Sequence, residues 1–265
     1  MFSTGEITTI LQEIQQAELI LITTHRSPDA DAMGSSLGLQ QILSANTPAK
    51  VIVLVPDAFP DFLNWMPGAP DALVYDQQTE TGNALLRQAN LIFCLDYNHP
   101  SRTGSMEMEL RKAPGLKVMI DHHQEPDHFA QYRWSDTAAS STCELVVSVM
   151  DTFGWAKVLN QPIATCLYTG IMTDTGSFRF SATTAHTHRV ISRLMETGIQ
   201  QWKIHESLFN QNTFEKLRLW GHAFLNKLKV MPEFRTAYIY LKEEELKLFG
   251  FREGDLEGLV NFALS

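Results

Sequence analysis

The stretch LILITTHRSPDAD, residues 19–31, joins a short apolar run to three side chains that can bind a metal ion. The run Leu-Ile-Leu-Ile is followed by His25, Asp29 and Asp31 with the spacing His-x3-Asp-x-Asp. One imidazole and two carboxylates this close together suit a divalent cation better than a hydrophobic core. Carboxylates suit Mg²⁺ and Mn²⁺, and the imidazole favours Mn²⁺, Co²⁺, Fe²⁺ or Zn²⁺. The stretch therefore predicts a strand that ends in part of a metal site.

Short apolar runs recur along the first half of the chain, and helical patterns lie between them. The predicted strands are residues 19–23, 51–55, 91–95 and 116–120. Apolar residues at helical spacing occur, for example, over residues 7–17 and 35–43. Strands that alternate with helices are typical of a parallel sheet covered on both faces, so we predict an α/β fold.

Polar side chains follow directly after three of these runs, at His25, Asp96 and Asp121. In open α/β sheets, ligands bind outside the carboxyl ends of the strands, where neighbouring loops converge. We therefore expect the acid and histidine clusters to meet at one point. The candidate ligand groups are His25, Asp29 and Asp31, then Asp96, then Asp121, His122 and His123, and finally Asp174. Such a set could hold two divalent ions with one bridging carboxylate, an arrangement that activates a water and stabilises a leaving oxygen.

Each candidate ligand also has a simpler explanation. Asp29 or Asp31 could cap the helix that follows, although capping leaves the histidine and the second aspartate unexplained. Asp96 could be a turn residue, and residues 121–123 could be a polar loop after a strand. Asp174 could be a loop acid, but an acid at the end of a helix opposes the helix dipole. Because four such groups occur in one chain, we favour the metal site.

Four residues are candidates for substrate contacts. Gly34 opens a helix and could offer backbone N–H groups to a phosphate, or it could simply allow close packing. Ser140 and Ser141 could also contact phosphate, although Ser141-x-x-Glu144 is sufficiently explained as a capping box. Arg179 could pair with a phosphate through two hydrogen bonds, or it could be a solvated surface side chain.

The composition limits the classes of protein to which the chain can belong. It has 265 residues, of which 44% are hydrophobic and 19% charged, as in ordinary globular proteins. The net charge of −9 argues against binding of long nucleic acid, which relies on a basic surface. No apolar stretch is long enough for a membrane span, and the N-terminus does not resemble a signal peptide. With three widely spaced cysteines, we expect free thiols and a cytoplasmic protein.

The pattern changes after about residue 200. Residues 200–229 look mostly helical, residues 236–241 alternate like a strand, and residues 242–248 begin an acidic helix. We predict a boundary between residues 200 and 215, which gives a first domain over residues 1–200 and a second part over residues 201–265.

Taken together, the motifs resemble the DHH phosphoesterase superfamily, whose signature is Asp121-His122-His123 in this chain. The flanking stretches HRSPDADAMGSS (25–36) and TDTGSFRF (173–180) look like the nanoRNase branch. Enzymes of that branch act as oligoribonucleases and as phosphatases of 3′-phosphoadenosine 5′-phosphate (pAp). The resemblance covers all four metal motifs, roughly residues 15–200. It continues more weakly through EGLVN (257–261), which looks like the start of an accessory substrate-binding α/β domain.

The resemblance implies a role for each matching residue. One ion would be held by His25, Asp29 and Asp96. The other would be held by Asp31, Asp96, His122 and Asp174. His123 would face the scissile phosphate as a hydrogen-bond donor or general acid, and Asp121 would orient a histidine by accepting its ring N–H. The resemblance further implies two Mn²⁺ ions, with Mg²⁺ or Co²⁺ as alternatives, and a homodimer.

The implied activity is hydrolysis of short oligoribonucleotides, in the 3′–5′ direction, or of pAp. One alternative is a phosphodiesterase for cyclic dinucleotides or their linear products. Another is a catalytically weak nucleotide-binding module, because the branch carries a Gly-Gly-His motif that helps to grip substrate. No Gly-Gly pair occurs in this sequence. We expect the sequence to be truncated before that motif, which leaves the choice of substrate open but not the metal site.

Overall fold

The computed structural model describes residues 1–209, 213–252, 254–256 and 258–262. The chain divides into two compact units, Met1–Ile204 and His205–Ser265. The division falls inside the stretch in which the sequence pattern changes. The role of the second unit in substrate binding remains a prediction, and residue 257, the first of the EGLVN stretch, lies outside the described residues.

The first unit is built on a six-stranded sheet in which all strands are parallel. The strands are β1 (Leu19–Thr23), β2 (Lys50–Val55), β3 (Leu73–Val74), β4 (Leu91–Leu95), β5 (Leu116–Asp121) and β6 (Tyr132–Ser135). Their order across the sheet is β3-β2-β1-β4-β5-β6. The four predicted strands are confirmed. The two strands that we did not predict are short, and they form the edges, where a strand pairs on one side only and needs no long apolar run.

Helices cover both faces of this sheet, as predicted. The helices of the first unit are α1 (Thr4–Gln16), α2 (Ala30–Ser44), α3 (Thr79–Gln88), α4 (Glu107–Lys112), α5 (Thr142–Thr152), α6 (Gln161–Asp174) and α7 (Ala185–Met195), and α8 (Gln201–Phe209) runs across the division into the second unit. Helices α3 and α4 bury Leu86 and Leu110 against one face, next to Leu21 and Ile92. Helices α2 and α5 lie on the other face, and α6 packs against α2.

Helix α2 begins five residues earlier than the apolar pattern predicted. The carboxylate of Asp29 accepts hydrogen bonds from the main-chain N–H groups of Asp31 and Ala32, both at 3.0 Å. This N-cap satisfies two of the free N–H groups at the start of the helix. The helix therefore starts within the HRSPDAD motif and carries Asp31 on its first turn.

Helices α2 and α6 approach each other closely because both carry a glycine at their contact. A Cβ atom at Gly34 would lie 2.5 Å from the carbonyl oxygen of Cys166. A Cβ atom at Gly170 would clash with Sγ of Cys143 in α5 and would lie 2.7 Å from a carboxylate oxygen of Asp31. Distances this short leave no room for a side chain, so the two glycines fix how near α6 comes to the start of α2.

The second unit contains most of residues 200–229, which are mostly helical, as predicted, wherever the structure describes them. Its elements are α9 (Phe214–His222), β7 (Lys229–Met231), β8 (Thr236–Tyr238), α10 (Glu243–Leu248) and α11 (Leu259–Phe262). A π-helical turn over Ala223–Lys227 ends α9, and β7 pairs antiparallel with β8. Across the residues that the structure describes, every helix is too short or too polar to cross a membrane.

Candidate metal centre

The candidate ligands meet where the order of the strands reverses. Strand β1 leads by way of α2 to β2 on one side, whereas β4 leads by way of α4 to β5 on the other. Crevices at such switch points, outside the carboxyl ends of the strands, are the usual ligand sites of open α/β sheets. His25 lies two residues beyond β1, Asp96 follows β4 directly, and Asp121 ends β5.

Asp96 lies at the middle of the cluster. One of its carboxylate oxygens is 3.4 Å from His25 Nε2, and the other is 3.5 Å from His122 Nε2. The Thr142 hydroxyl donates to this second oxygen at 2.8 Å. The backbone of Asp96 is left-handed, with φ 64°, and its side chain is almost fully buried. The carboxylate thus contacts an imidazole on each side, which is the placement that a bridging ligand needs.

The first ligand group consists of His25, Asp29 and Asp96, whose candidate ligand atoms lie within 4.8 Å of one another. His25 Nε2 is 3.8 Å from Asp29 Oδ2. Its Nδ1 donates to the Arg26 carbonyl oxygen at 2.7 Å. A hydrogen bond at one ring nitrogen fixes the tautomer and leaves the other nitrogen free as a ligand. Asp29 uses one oxygen to cap α2 and turns the other toward His25.

The second group consists of Asp31, His122 and Asp174, again within 4.8 Å of one another. His122 Nε2 is 3.3 Å from Asp174 Oδ2 and 4.0 Å from Asp31 Oδ2. Asp31 also accepts the main-chain N–H groups of Thr142, at 2.7 Å, and Cys143, at 2.9 Å. These are the first N–H groups of α5, where the helix dipole favours a negative charge.

Asp121 fixes the orientation of His123. Its carboxylate accepts the main-chain N–H of His123 at 3.2 Å and the ring Nδ1–H at 2.8 Å. His123 Nδ1 is also 3.7 Å from Asp96, but a nitrogen that donates its proton to Asp121 has no lone pair for a metal. The Nε2 atom of His123 is therefore the one available for chemistry.

The close charges shift several pKa values strongly in the metal-free protein. Burial and the nearby carboxylate of Asp96 raise the pKa of Asp31 to about 7 and contribute to raising that of Asp174 to about 9. Burial opposes the charged form of His122, but the surrounding carboxylates outweigh it and raise its pKa to about 10. Burial likewise opposes ionisation of Asp96, but hydrogen bonds from His122 and His25 hold its pKa well below the usual range.

The residues present fit a pair of divalent ions. Neighbouring ligand atoms are 3.3–4.0 Å apart, and two atoms at that spacing can both lie about 2.1 Å from one ion. The donors are carboxylate oxygens and imidazole nitrogens, a set that suits Mg²⁺, Mn²⁺ and related ions. The free cysteines Cys94, Cys143 and Cys166 are buried and belong to none of the described ligand groups.

The structure gives no support to Ser140 and Ser141 as phosphate contacts. Both are buried, and both hydroxyls are bonded to Glu144. Ser141 caps α5 as predicted, accepting the Glu144 N–H at 3.1 Å. The predicted capping box is only half formed, because the Glu144 carboxylate instead accepts hydrogen bonds from the hydroxyls of Ser140 and Thr187. The two serines thus hold the start of α5 in place.

Helix packing accounts for Gly34, which lies in the second turn of α2 against α6 rather than at its free end. Its prediction as a phosphate contact is corrected for that reason, since N–H groups inside a helix are already bonded. Arg179 is exposed, and its Nε donates to the Gly176 carbonyl oxygen at 2.7 Å. It therefore remains available for a phosphate contact.

Two contributors to the site were missed in the sequence. One is the start of α5, where Thr142 and Cys143 hold Asp31 and Asp96. The Ser-x-x-Glu pattern marked this helix start, but it did not reveal which anion the helix faces. The other is Arg102, whose side chain donates to the Asp96 carbonyl oxygen at 3.5 Å and whose own carbonyl oxygen accepts the Arg26 N–H at 2.7 Å. Such tertiary contacts leave no local pattern in the sequence.

Comparison with known proteins identifies the family to which this chain belongs. Residues 19–171 match the family model described as "DHH family, N-terminal domain". The chain belongs to the DHH family. The matched range contains every candidate ligand except Asp174, and it covers the whole parallel sheet of this DHH protein.

Three relatives illustrate the similarity. A crystal structure of an exopolyphosphatase-related protein from Bacteroides fragilis superposes with a TM-score of 0.94 and 39% identity, over 99% of this chain and 77% of that one. The bifunctional oligoribonuclease and PAP phosphatase NrnA of Bacillus subtilis is 28% identical, over 96% of this chain and 76% of its own length. The protein of that name from Thermus thermophilus is 34% identical, over 68% and 51%. The DHH chain thus spans from 51% to 77% of the length of these relatives.

Proposed function

We propose that this protein is a metal-dependent phosphoesterase that hydrolyses short oligoribonucleotides and pAp. The observation that carries the proposal is Asp96, whose carboxylate lies between His25 of one ligand group and His122 of the other, with His123 held beside them by Asp121. Relatives named as oligoribonuclease and PAP phosphatase support the same class of substrate.

The ligands proposed for one ion are His25, Asp29 and Asp96. Those proposed for the other are Asp31, Asp96, His122 and Asp174. When bound, such ions supply the acidity that activates a water and the positive charge that stabilises a phosphoryl group. We infer Mn²⁺ as the preferred metal, because imidazole ligands favour it over Mg²⁺. Co²⁺ shares that preference, so the assay must compare the three metals.

The chain's own residues orient the reaction. Asp121 holds a proton on His123 Nδ1, so a second proton on Nε2 can be delivered to the leaving oxygen. The start of α5 fixes the Asp31 carboxylate, and Thr142 fixes that of Asp96. Arg179 is the proposed phosphate contact, because its Nε is anchored to the loop that follows Asp174 while its Nη groups can still donate.

The second unit, residues 205–265, is proposed as the beginning of a substrate-binding domain, and the protein as a homodimer. Both proposals rest on the resemblance described above. The second unit would select among substrates, because cyclic dinucleotides, their linear products and pAp all require the same chemistry at the metal centre.

The first test compares phosphate release from pAp with cleavage of a five-nucleotide RNA and of a cyclic dinucleotide. The protein is assayed with Mn²⁺, Mg²⁺ or Co²⁺ and then with EDTA. We expect turnover of pAp and RNA that is fastest with Mn²⁺ and abolished by EDTA. His122→Ala should reduce turnover at least a hundredfold, whereas His128→Ala, which alters an exposed histidine outside the ligand groups, should not.

Two results would contradict the proposal. Equal activity of the His122→Ala variant would show that the cluster is not the catalytic site. Absence of turnover on all three substrates, with Mn²⁺ and nucleotide binding shown by calorimetry, would favour a nucleotide-binding module instead.

A further inference from the structure

The loop directly after Asp174 has an unusual backbone. Gly176, Ser177 and Phe178 are consecutive residues with φ values of 55°, 58° and 66°. The left-handed conformation is unfavourable for residues other than glycine, and it is rare for one as bulky as phenylalanine. Consecutive strained residues persist only where the surrounding structure determines them, and they cluster at ligand sites.

Hydrogen bonds to the last turn of α6 hold this loop. The Thr175 hydroxyl accepts the Phe178 N–H at 3.1 Å, and the Thr175 carbonyl oxygen accepts the N–H groups of Arg179, at 2.9 Å, and Phe180, at 3.0 Å. Thr175 itself is buried. The chain therefore folds back on itself, and Phe180 returns to within a hydrogen bond of the residue that follows Asp174.

The strained turn places its two aromatic rings in different surroundings, one packed and one exposed. The Phe178 ring is half-buried and packs against Tyr168 and His188, with ring centroids 6.1 and 5.8 Å apart. The Phe180 ring lies over Gly176, where a Cβ atom would be 2.5 Å from its Cζ atom, and it remains 44% exposed. A loop that served only to bury apolar surface would turn both rings inward. This loop fixes one ring in the packing and presents the other on the surface.

We infer that Phe180 is a stacking platform for a base of the nucleotide whose phosphate binds at the metal centre. The inference deepens the proposed function and rests on it for the class of substrate. Aromatic rings bind bases of any sequence by stacking, because every base has a flat π-face. A single exposed ring would thus accept both the adenine of pAp and the different bases of RNA. Arg179, one residue before Phe180, would contact phosphate, so the two side chains read separate parts of one nucleotide.

The test isolates the contribution of the base. Calorimetry with the Mn²⁺-loaded full chain measures the dissociation constants of AMP and of ribose 5-phosphate, which is AMP without its adenine. We expect AMP to bind more tightly. In F180A the dissociation constant of ribose 5-phosphate divided by that of AMP should fall about tenfold, within the range that alanine substitution gives for a stacked base. F180W should restore the ratio, because its ring is also flat.

Two further variants make the result specific. F180L keeps an apolar side chain on Gly176 but has no ring, so it should lower the ratio as F180A does. M195A removes an apolar side chain of similar exposure, 40%, from α7, and it should leave both constants unchanged. None of these measurements requires hydrolysis. They therefore test the stacking platform even if the protein binds nucleotides without turnover.

Three outcomes would overturn the inference: equal binding of AMP and ribose 5-phosphate by the wild type, an unchanged ratio in F180A and F180L, or conversion of a dimer to a monomer by F180A in sedimentation. The last would assign the ring to a subunit contact. If the wild type hydrolyses none of the three phosphoesters but the ratio still falls in F180A, the proposed function fails while the platform stands.

Discussion

Asp96 combines three properties that one residue seldom shows together. Its backbone is left-handed, its carboxylate is almost fully buried, and each carboxylate oxygen faces a different histidine. Aspartate tolerates the left-handed region better than most residues do, but the conformation still has a cost. Contacts from Thr142 and Arg102 hold the residue in place. Strain at the residue that lies between the two ligand groups favours a functional role over a turn.

Metal affinity should rise with pH. In the metal-free protein the pKa of Asp174 is raised to about 9 and that of His122 to about 10, so both hold protons at pH 7. Metal ligands must be deprotonated, and binding therefore releases these protons. We expect Mn²⁺ to bind at least tenfold more tightly at pH 8 than at pH 7. Calorimetry in two buffers of different ionisation enthalpy measures the protons released; a value of zero would contradict the assignment.

The same pKa values give the pH dependence of stability without metal. The folded protein holds a proton on Asp174 that the unfolded chain releases near pH ~4. The folded state therefore binds more protons between about pH 4 and pH 9, and its stability falls as the pH rises through that window. Added metal should remove this dependence, because it replaces the protons.

At the scale of elements, the start of α5 and the contact between α2 and α6 build the second ligand group. Helix α5 offers two N–H groups to Asp31, which itself lies in the first turn of α2. Helix α6 carries Asp174 at its last residue and approaches α2 across Gly170. Three helices thus converge on one carboxylate, and their spacing fixes its position.

Gly170→Ala tests this spacing. The new Cβ atom would clash with Sγ of Cys143 in α5 and would lie 2.7 Å from an oxygen of Asp31, so α6 must move or these two side chains must turn. We expect a loss of about 1–3 kcal/mol in the free energy of unfolding, typical of overpacking, and weaker Mn²⁺ binding. Gly5→Ala in α1 is the matched control, because no atom lies within 4 Å of its added Cβ. It should be neutral or slightly stabilising. Chemical denaturation and calorimetry give the two quantities; unchanged metal affinity in Gly170→Ala would refute the role of the spacing.

At the scale of the whole molecule, every candidate ligand belongs to the first compact unit, Met1–Ile204. Metal should therefore stabilise this unit directly. A ligand at a hundred times its dissociation constant adds about 2.7 kcal/mol, which in a unit of this size raises the melting temperature by about 5–10 °C. EDTA should reverse the shift.

Hydrogen exchange locates that stabilisation. We expect Mn²⁺ to increase protection of peptides from the first unit, most of all around His25, Asp96 and His122. Peptides from His205–Ser265 should change little, because none of the candidate ligands lies there. Equal protection of both units would contradict a metal centre confined to the first.

Much of this protein could be predicted from the sequence because its signals are local. The buried central strands need continuous apolar runs, and acids or histidines directly after such runs have few structural uses. Residues such as His25, Asp96 and Asp121 could therefore be singled out, and the parallel sheet brings them together. The edge strand β6 escaped prediction because a strand that pairs on one side tolerates polar residues.

The tertiary structure alone decided what depends on distance between segments. The packing of α6 on α2 explains Gly34, and the buried Glu144 carboxylate explains Ser140 and Ser141, which the sequence offered as phosphate contacts. The hydrogen bond from Thr142 to Asp96 joins residues 46 positions apart. The hydrophobic periodicity of the sequence cannot reveal a contact over that separation. The sequence by itself determined the fold and the candidate ligands, because strands, helices and ligand motifs can be recognised from residues that are close together in the chain. The geometry that lets one carboxylate serve two ligand groups exists only once the strands and helices have packed.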